Sequence, residues 1–195
     1  MSRRRESELR IIAGQWRGRR LPIPAQAGVR PTGDRVRETL FNWLAPMLPG
    51  ARCLDLFAGT GALGLEALSR GAAEVVLVER DRRIADGLRG NLTTLAATGA
   101  RIEVADGADY LQGPPAAPFE IVFLDPPYGS GLLEVCCQRL ATAGWLTPGA
   151  QIYIEDDRNA PTPELPASWS VHREGQAGRC RFRLLRADGT NRDED

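Results

Sequence analysis

Lysine is absent: all 25 basic residues of this 195-residue chain are arginine. Histidine occurs once, at His172, which excludes a metal site built from several histidines. The four cysteines (Cys53, Cys136, Cys137 and Cys180) show no C-x-x-C spacing. They read as reduced core thiols of a cytoplasmic protein, not as a disulfide framework or a zinc site. No apolar run approaches the length of a membrane span. Met1-Ser2-Arg3-Arg4-Arg5 runs into Glu6-Ser7-Glu8 where a signal peptide would turn apolar, so no such leader is expected. What remains is a globular composition, 43% hydrophobic, long enough for one domain that buries about 70% of its unfolded surface.

Net charge is zero, but its distribution is uneven. Residues 1–40 carry ten arginines against four acids, a net +6 that leaves −6 on the remainder. A basic N-terminal segment on an acidic body points to an anionic macromolecule engaged from one side, although a solvated basic tail gives the same count. Arginine suits bidentate phosphate contact and base stacking, and a genome's composition can produce the same bias.

Residues 1–8 are charged and expected to be disordered. Arg10 to Leu21 shows two short extended runs around a glycine-containing turn, which predicts a β-hairpin. Trp16 stands there among Arg10, Arg17, Arg19 and Arg20. An aromatic among arginines can stack on an RNA base while guanidiniums hold phosphates; it can equally anchor the hairpin on the core. A loop containing Arg30 follows. Asp34 to Met47 then has apolar residues at helix spacing (Val36, Leu40, Trp43, Leu44, Met47), Thr32 or Asp34 as N-cap, and Arg35, Glu38 and Asn42 on the other face.

Beyond Gly50 the pattern alternates. Strands are predicted over 53–57, 74–79, 101–105, 119–125 and 150–155, and helices over 62–70, 81–97, 108–112 and 132–143, with Gly71, Gly99 and Gly144 as C-caps. Such alternation predicts a parallel sheet with helices on both faces. Two further strands, 168–174 and 178–186, are expected to be joined by Gly175-Gln176-Ala177, and residues 187–195 to be frayed. The division expected is an extension over 1–48, a core over 49–187 and an acidic tail over 188–195.

Two motifs carry chemistry. The first runs Asp55-Leu56-Phe57-Ala58-Gly59-Thr60-Gly61-Ala62-Leu63-Gly64, a strand end, a glycine turn and a helix start. Gly59, Gly61 and Gly64 fit G-x-G-x-x-G, with Glu79 about 20 residues on. By itself this is a nucleotide-binding layout or a tight structural turn. The second is Asp125-Pro126-Pro127-Tyr128, closing the buried run Ile121–Leu124. A proline turn after a strand is the plain reading. Together, in this order, the motifs resemble those of the S-adenosylmethionine (SAM)-dependent amino-methyltransferases.

That resemblance implies a Rossmann-like class I α/β fold, a mostly parallel seven-stranded sheet with an antiparallel end, preceded here by the hairpin and helix. It implies SAM as cofactor. Its amino-acid end would lie along Phe57 to Gly61, Thr60 included, with its ammonium on Asp55. The ribose diol would meet Glu79, beside Arg80, and the adenine amino group would meet Asp106-Gly107. Glu79 as a helix cap and Asp106 as a turn residue are the structural alternatives. At the second motif, Asp125 and the Pro126 carbonyl would each accept an N–H of the target amine, Pro127 would stiffen the corner, and Tyr128 would stack on the base.

A longer set of segments narrows the resemblance: Arg10-Ile11-Ile12-Ala13-Gly14, Arg17-Gly18, Arg30-Pro31-Thr32 and Asp34 to Leu44, together with both motifs. These are similar to the bacterial RsmD family of 16S ribosomal RNA guanine-N2 methyltransferases, from about Arg10 to Leu185. The family implies 16S rRNA of the small ribosomal subunit as partner; the arginine-rich segment offers Arg10, Trp16, Arg17, Arg19, Arg20, Arg30 and Arg35 as candidate RNA contacts, and a monomer without metal or membrane contact is expected. A DNA adenine-N6 methyltransferase shares D-P-P-Y but needs a segment for reading duplex sequence. A protein glutamine methyltransferase usually has Asn at position 125. A non-catalytic RNA-binding assembly factor has no use for intact Gly59, Gly61 and Asp125. An NAD enzyme is disfavoured by the lack of a nearby catalytic His or a Tyr-x-x-x-Lys pattern.

Overall fold

A computed structural model describes residues 8–23, 33–142 and 144–188. Arg30, Thr32, Ala143 and the tail beyond 188 therefore lie outside the described residues, as do residues 1–7.

The chain opens with β1 (Glu8–Arg10) and β2 (Arg20–Pro22), an antiparallel pair with Leu9 opposite Leu21. The predicted hairpin is present, with its first strand starting at Glu8, inside the segment expected to be disordered. Leu9, Ile11 and Leu21 are buried in one core with the sheet residues Cys53, Val75 and Ile121. Burying these side chains, at about 1.5–3 kcal/mol each, supplies what a two-stranded ribbon lacks alone.

Helix α1 (Asp34–Leu44) lays Val36, Leu40, Phe41 and Leu44 on that core and leaves Arg35, Glu38 and Asn42 exposed. Its N-cap is Gly33, without a side-chain cap, so Asp34 does not have the capping role expected of it. Asp34 instead accepts a hydrogen bond from Arg37 at 2.7 Å. The helix stops at Leu44, three residues before Met47, because Pro46 cannot donate to the ladder.

The body follows as β3 (Arg52–Asp55), α2 (Ala62–Ser69), β4 (Glu74–Val78), α3 (Arg82–Thr94), β5 (Ala100–Glu103), α4 (Gly107–Tyr110), β6 (Phe119–Leu124), α5 (Leu132–Thr142), β7 (Leu146–Asp157), β8 (Trp169–Ala177) and β9 (Cys180–Ala187). The sheet order is β5-β4-β3-β6-β7-β9-β8. The first five strands are parallel, and β9 is antiparallel to both its neighbours. Leu54, Val76 and Val122 are fully buried, which is why these strands read as continuous apolar runs, not alternations. One core lies under α1, α2 and α3, the other under α4 and α5.

Two details correct the sequence reading. The β8–β9 turn is Gly178-Arg179, not Gly175-Gln176-Ala177, and Gly175 lies within β8. It is opposite Phe182, and a Cβ there would stand 2.3 Å from the Phe182 ring. A glycine that makes room for an aromatic ring looks, in sequence, like a turn. Likewise, α3 is terminated by Ala96 in the left-handed region (φ 48°), before Gly99 is reached.

Candidate active site

β3 continues to β4 and β5 on one side, and the chain then crosses to β6 on the other. The strand order reverses between β3 and β6, and their carboxyl ends open the crevice where open α/β sheets bind ligands. Both sequence motifs end there. Asp55 is paired with Phe123 across the two strands, and two residues beyond that pair stand Phe57 and Asp125. On the other flank Asp55 pairs with Leu77, two residues before Glu79. Val78 pairs with Glu103 of β5, three residues before Asp106. The four predicted acids, Asp55, Glu79, Asp106 and Asp125, therefore sit on one edge of the sheet.

The glycine turn is built for close approach. Gly59 (φ 50°) and Gly61 (φ 78°) take left-handed conformations, and Gly61 is the N-cap of α2. Asp55 is 3% exposed and receives the Gly64 amide on Oδ2 at 2.9 Å. It braces the turn from beneath. Burial pushes its carboxyl up to about 7, against the pull of the Gly64 amide; the charge of Glu79 adds to the rise, and the Phe57 amide opposes it.

Glu79 braces the same turn from the side. Its Oε2 accepts the Gly59 amide at 2.9 Å, and its Oε1 accepts the Asp81 amide at 2.8 Å. Each carboxylate oxygen has a second lone pair, so two acceptor sites remain for a diol. The cap of α3 is Asp81, whose Oδ1 accepts from Arg83 and Ile84; Glu79 does not fill that position. Arg80 is exposed beside it, and Thr60 is buried in the turn. Asp106 caps the single turn of α4 through Oδ1, at 2.9 Å from the Ala108 amide. Gly107 follows it, with the Phe57 ring 2.9 Å from where a Cβ would be. The turn reading of Asp106 thus holds, on the same rim as the other acids.

At the second motif Asp125 is half-buried, Pro126 is buried, and Pro127 and Tyr128 are exposed. Tyr128 is 47% exposed. It lies beside Cys180 at the start of β9, and partial burial, with the Cys180 thiol next, holds its pKa above the usual phenol range. Cys180 in turn donates to Glu155 Oε2 at 3.2 Å, and Tyr153 donates to Glu155 Oε1 at 2.8 Å. Glu155 thus joins β7 to the start of β9 beside the corner. Sequence reasoning missed it, because Glu155, Cys180 and Tyr153 match no local motif. Glu155 within a buried apolar strand was the available signal.

The predicted RNA contacts divide. Trp16 is 8% exposed and packed in the core, so it anchors the hairpin and presents no stacking face. Arg10, Arg17, Arg19, Arg20 and Arg35 are exposed. The hairpin turn is bound to the far end of α2, with the Gln15 amide on the Ser69 carbonyl at 2.7 Å and the Trp16 amide on Ser69 Oγ at 3.1 Å. α2 has eight residues and runs away from the glycine turn, which separates the hairpin turn from the acidic rim by about 12 Å of helix. Among the described residues there is no group of acids, cysteines and histidine placed to hold a metal ion, and no helix long and apolar enough to cross a membrane.

Comparison with known proteins bears on this edge. The family described as Conserved hypothetical protein 95 matches residues 9–186. A protein of Escherichia coli strain K12 named Ribosomal RNA small subunit methyltransferase D is 51% identical over 181 residues, covering 93% of this chain and 91% of that one. A protein of Haemophilus influenzae with the same name is 46% identical, covering 92% and 94%. The solved structure of a putative methyltransferase yhhF from Escherichia coli superposes with a TM-score of 0.87 at 49% identity, covering 93% of this chain and 99% of that one.

Proposed function

This chain belongs to the RsmD family, and from that premise we propose that it methylates N2 of a guanine in the 16S rRNA of the small ribosomal subunit, with SAM as methyl donor. The observation that carries this reading is the convergence of the glycine turn and the D-P-P-Y corner on the two sides of one switch point. SAM, when bound, supplies an electrophilic sulfonium methyl group. The residues present suit it: a turn with left-handed glycines, bare Cα positions at Gly64 and Gly107, and acids at three adjacent strand ends. Asp55 and the Phe57–Gly61 backbone would hold the amino-acid end, Glu79 the ribose diol, and Asp106-Gly107 the adenine.

The acceptor is an exocyclic amine, a poor nucleophile because its lone pair is delocalised into the ring. Asp125 and the Pro126 carbonyl each accept one N–H, fixing the nitrogen so that its lone pair faces the methyl carbon. Tyr128 stacks on the unstacked base. Bound SAM would supply the methyl group to this nitrogen, and Asp125 or water would take the amine proton. Most of the acceleration comes from orientation. The protein acts as a monomer in the cytoplasm in this reading.

The test is to incubate the protein with labelled SAM and unmodified small subunits or bare rRNA, and to map the modified base. One N2-methylguanine is expected. Asp125→Ala is expected to lower kcat about 10²-fold or more, on the scale of removing one well-placed polar group from a reacting centre, while S-adenosylhomocysteine affinity is kept. Methyl transfer to a different atom, or near-normal turnover by Asp125→Ala, contradicts the assignment.

A further inference from the structure

The charge expected to meet RNA lies on the N-terminal hairpin, yet the hairpin turn is held at the end of α2 away from D-P-P-Y. Another group of arginines lies at the corner itself. β7 runs parallel to β6 and ends at Asp157, which pairs with Cys180, the first residue of β9. The end of β7 and the β8–β9 turn therefore share the edge of the sheet on which Asp125 stands. The Arg158 amide donates to the Arg179 carbonyl at 2.9 Å, which sets these two residues side by side. Their neighbour Cys180 lies beside the Tyr128 hydroxyl, which places the Arg158–Arg179 pair next to the stacking tyrosine.

Across 156–158 and 179–183, four arginines face two aspartates. Glu155 and Glu174 lie beside this group as well, so its charges balance, and what distinguishes it is the exposure of two of its guanidinium-bearing residues. Asp156 is engaged by Arg181 and Arg183. Asp157 binds the Arg179 guanidinium while that side chain stays 75% exposed, so its head is steadied from one side and open on the others. Arg158 is exposed. A guanidinium offers five donors, and one held by a single carboxylate keeps donors for a phosphate.

We propose that Arg158 and Arg179 form a phosphate-binding rim that grips the RNA backbone next to the nucleotide held at Asp125 and Tyr128. The proposal rests on the RNA-methylating reading above and adds to it the surface that orients the strand. A nucleotide drawn from its stack carries its flanking phosphates to the mouth of the site, and a rim beside the stacking tyrosine meets them first. The arginine of the hairpin turn, Arg17, is held at the far end of α2 and is left to touch more distant parts of the particle.

The test uses the full chain carrying Arg158→Ala and Arg179→Ala together, with unmodified small subunits and labelled SAM over a series of salt concentrations. The KM for subunits is expected to rise several-fold, while kcat at saturation and S-adenosylhomocysteine affinity stay as in the wild type. The log–log salt slope is expected to fall by about 1.4, or roughly 0.7 per lost phosphate contact on single-stranded RNA. Arg158→Lys with Arg179→Lys should restore most of the slope, which a purely structural loss would not allow. Arg89→Ala with Arg101→Ala removes equal charge elsewhere and should leave the slope unchanged. A folded double-alanine variant with the wild-type KM and slope overturns the rim. A wild-type protein that methylates no RNA overturns the underlying reading, and the rim with it, and is told apart because it fails before any variant is made.

Discussion

Arg37 and Glu66 face each other at 3.7 Å, 1% and 0% exposed, in the seam between α1 and α2. Glu66 also accepts the amides of Ile12 at 2.8 Å and Ala13 at 3.0 Å, and Arg70 Nε at 2.7 Å. Arg37 donates to the Arg10 carbonyl at 2.9 Å. One buried ion pair thus fastens the N-terminal ribbon and α1 to the helix that follows the glycine turn.

Breaking a buried ion pair costs about 3–5 kcal/mol; here Arg37 keeps Asp34 as partner, while the Ile12 and Ala13 amides and Arg70 lose their acceptor. Glu66→Ala is expected to lose stability of that order and Glu66→Gln less, since an amide oxygen still accepts one N–H. Urea unfolding measures both. Equal stability of Glu66→Ala and the wild type would show that the seam is held by its apolar contacts alone.

Gly64 and Gly90 should respond oppositely to alanine. Both lie in helices, where alanine is favoured by about 1 kcal/mol. At Gly90 nothing stands within reach of a new Cβ, so Gly90→Ala should gain up to that amount. At Gly64 the Cβ would lie 2.4 Å from Leu77 Cδ2 and 3.2 Å from Asp55 Oδ2, and overpacking of about 1–3 kcal/mol outweighs the propensity gain. Gly64→Ala should therefore be less stable and bind S-adenosylhomocysteine more weakly. Chemical denaturation of the pair decides it.

Asp55 couples pH to both stability and cofactor affinity, in opposite senses. Its pKa rises from 3.8 to about 7 on folding, mainly through burial. Between those values the native state holds a proton that the unfolded chain releases. The group's contribution to ligand-free stability is therefore fully present below about pH 4 and is lost as pH rises through about 7. Affinity for a ligand ammonium needs the ionised form and should strengthen over the same upper range. Calorimetry with S-adenosylhomocysteine is expected to give tighter binding at pH 8 than at pH 6, and Asp55→Asn should remove much of the difference.

Cys180 should be a poor nucleophile although it is only half-buried. Burial, together with the charge of Glu155, pushes its thiol up to about 12. Thiolate is then scarce at pH 8, and alkylation should run far more slowly than for a free cysteine, whose pKa is about 8.5. Glu155→Gln should speed it. A wild-type alkylation rate that levels off below pH 9 would contradict this protonation state.

The sequence made the sheet legible because its central strands are buried on both faces, so their apolar runs, and the acids that close them, stand out without tertiary knowledge. The two motifs were legible for the same reason: both sit at strand ends. What escaped was long-range. Nothing local tells that Glu66, inside an otherwise apolar helix, meets Arg37 and the amides of Ile12 and Ala13. Trp16 among arginines has the same pattern whether it stacks or anchors, and only its packing against the core decides. Gly175 resembled a turn until Phe182 was placed opposite it.

The placement of Tyr128 beside Cys180 has a consequence for biosynthesis. A growing polypeptide completes the cofactor cradle once α4 has been made, and the proline corner soon after. The strand that packs beside its tyrosine is translated some fifty residues later. A product halted in that interval would have a place for the donor and no fixed platform for the acceptor.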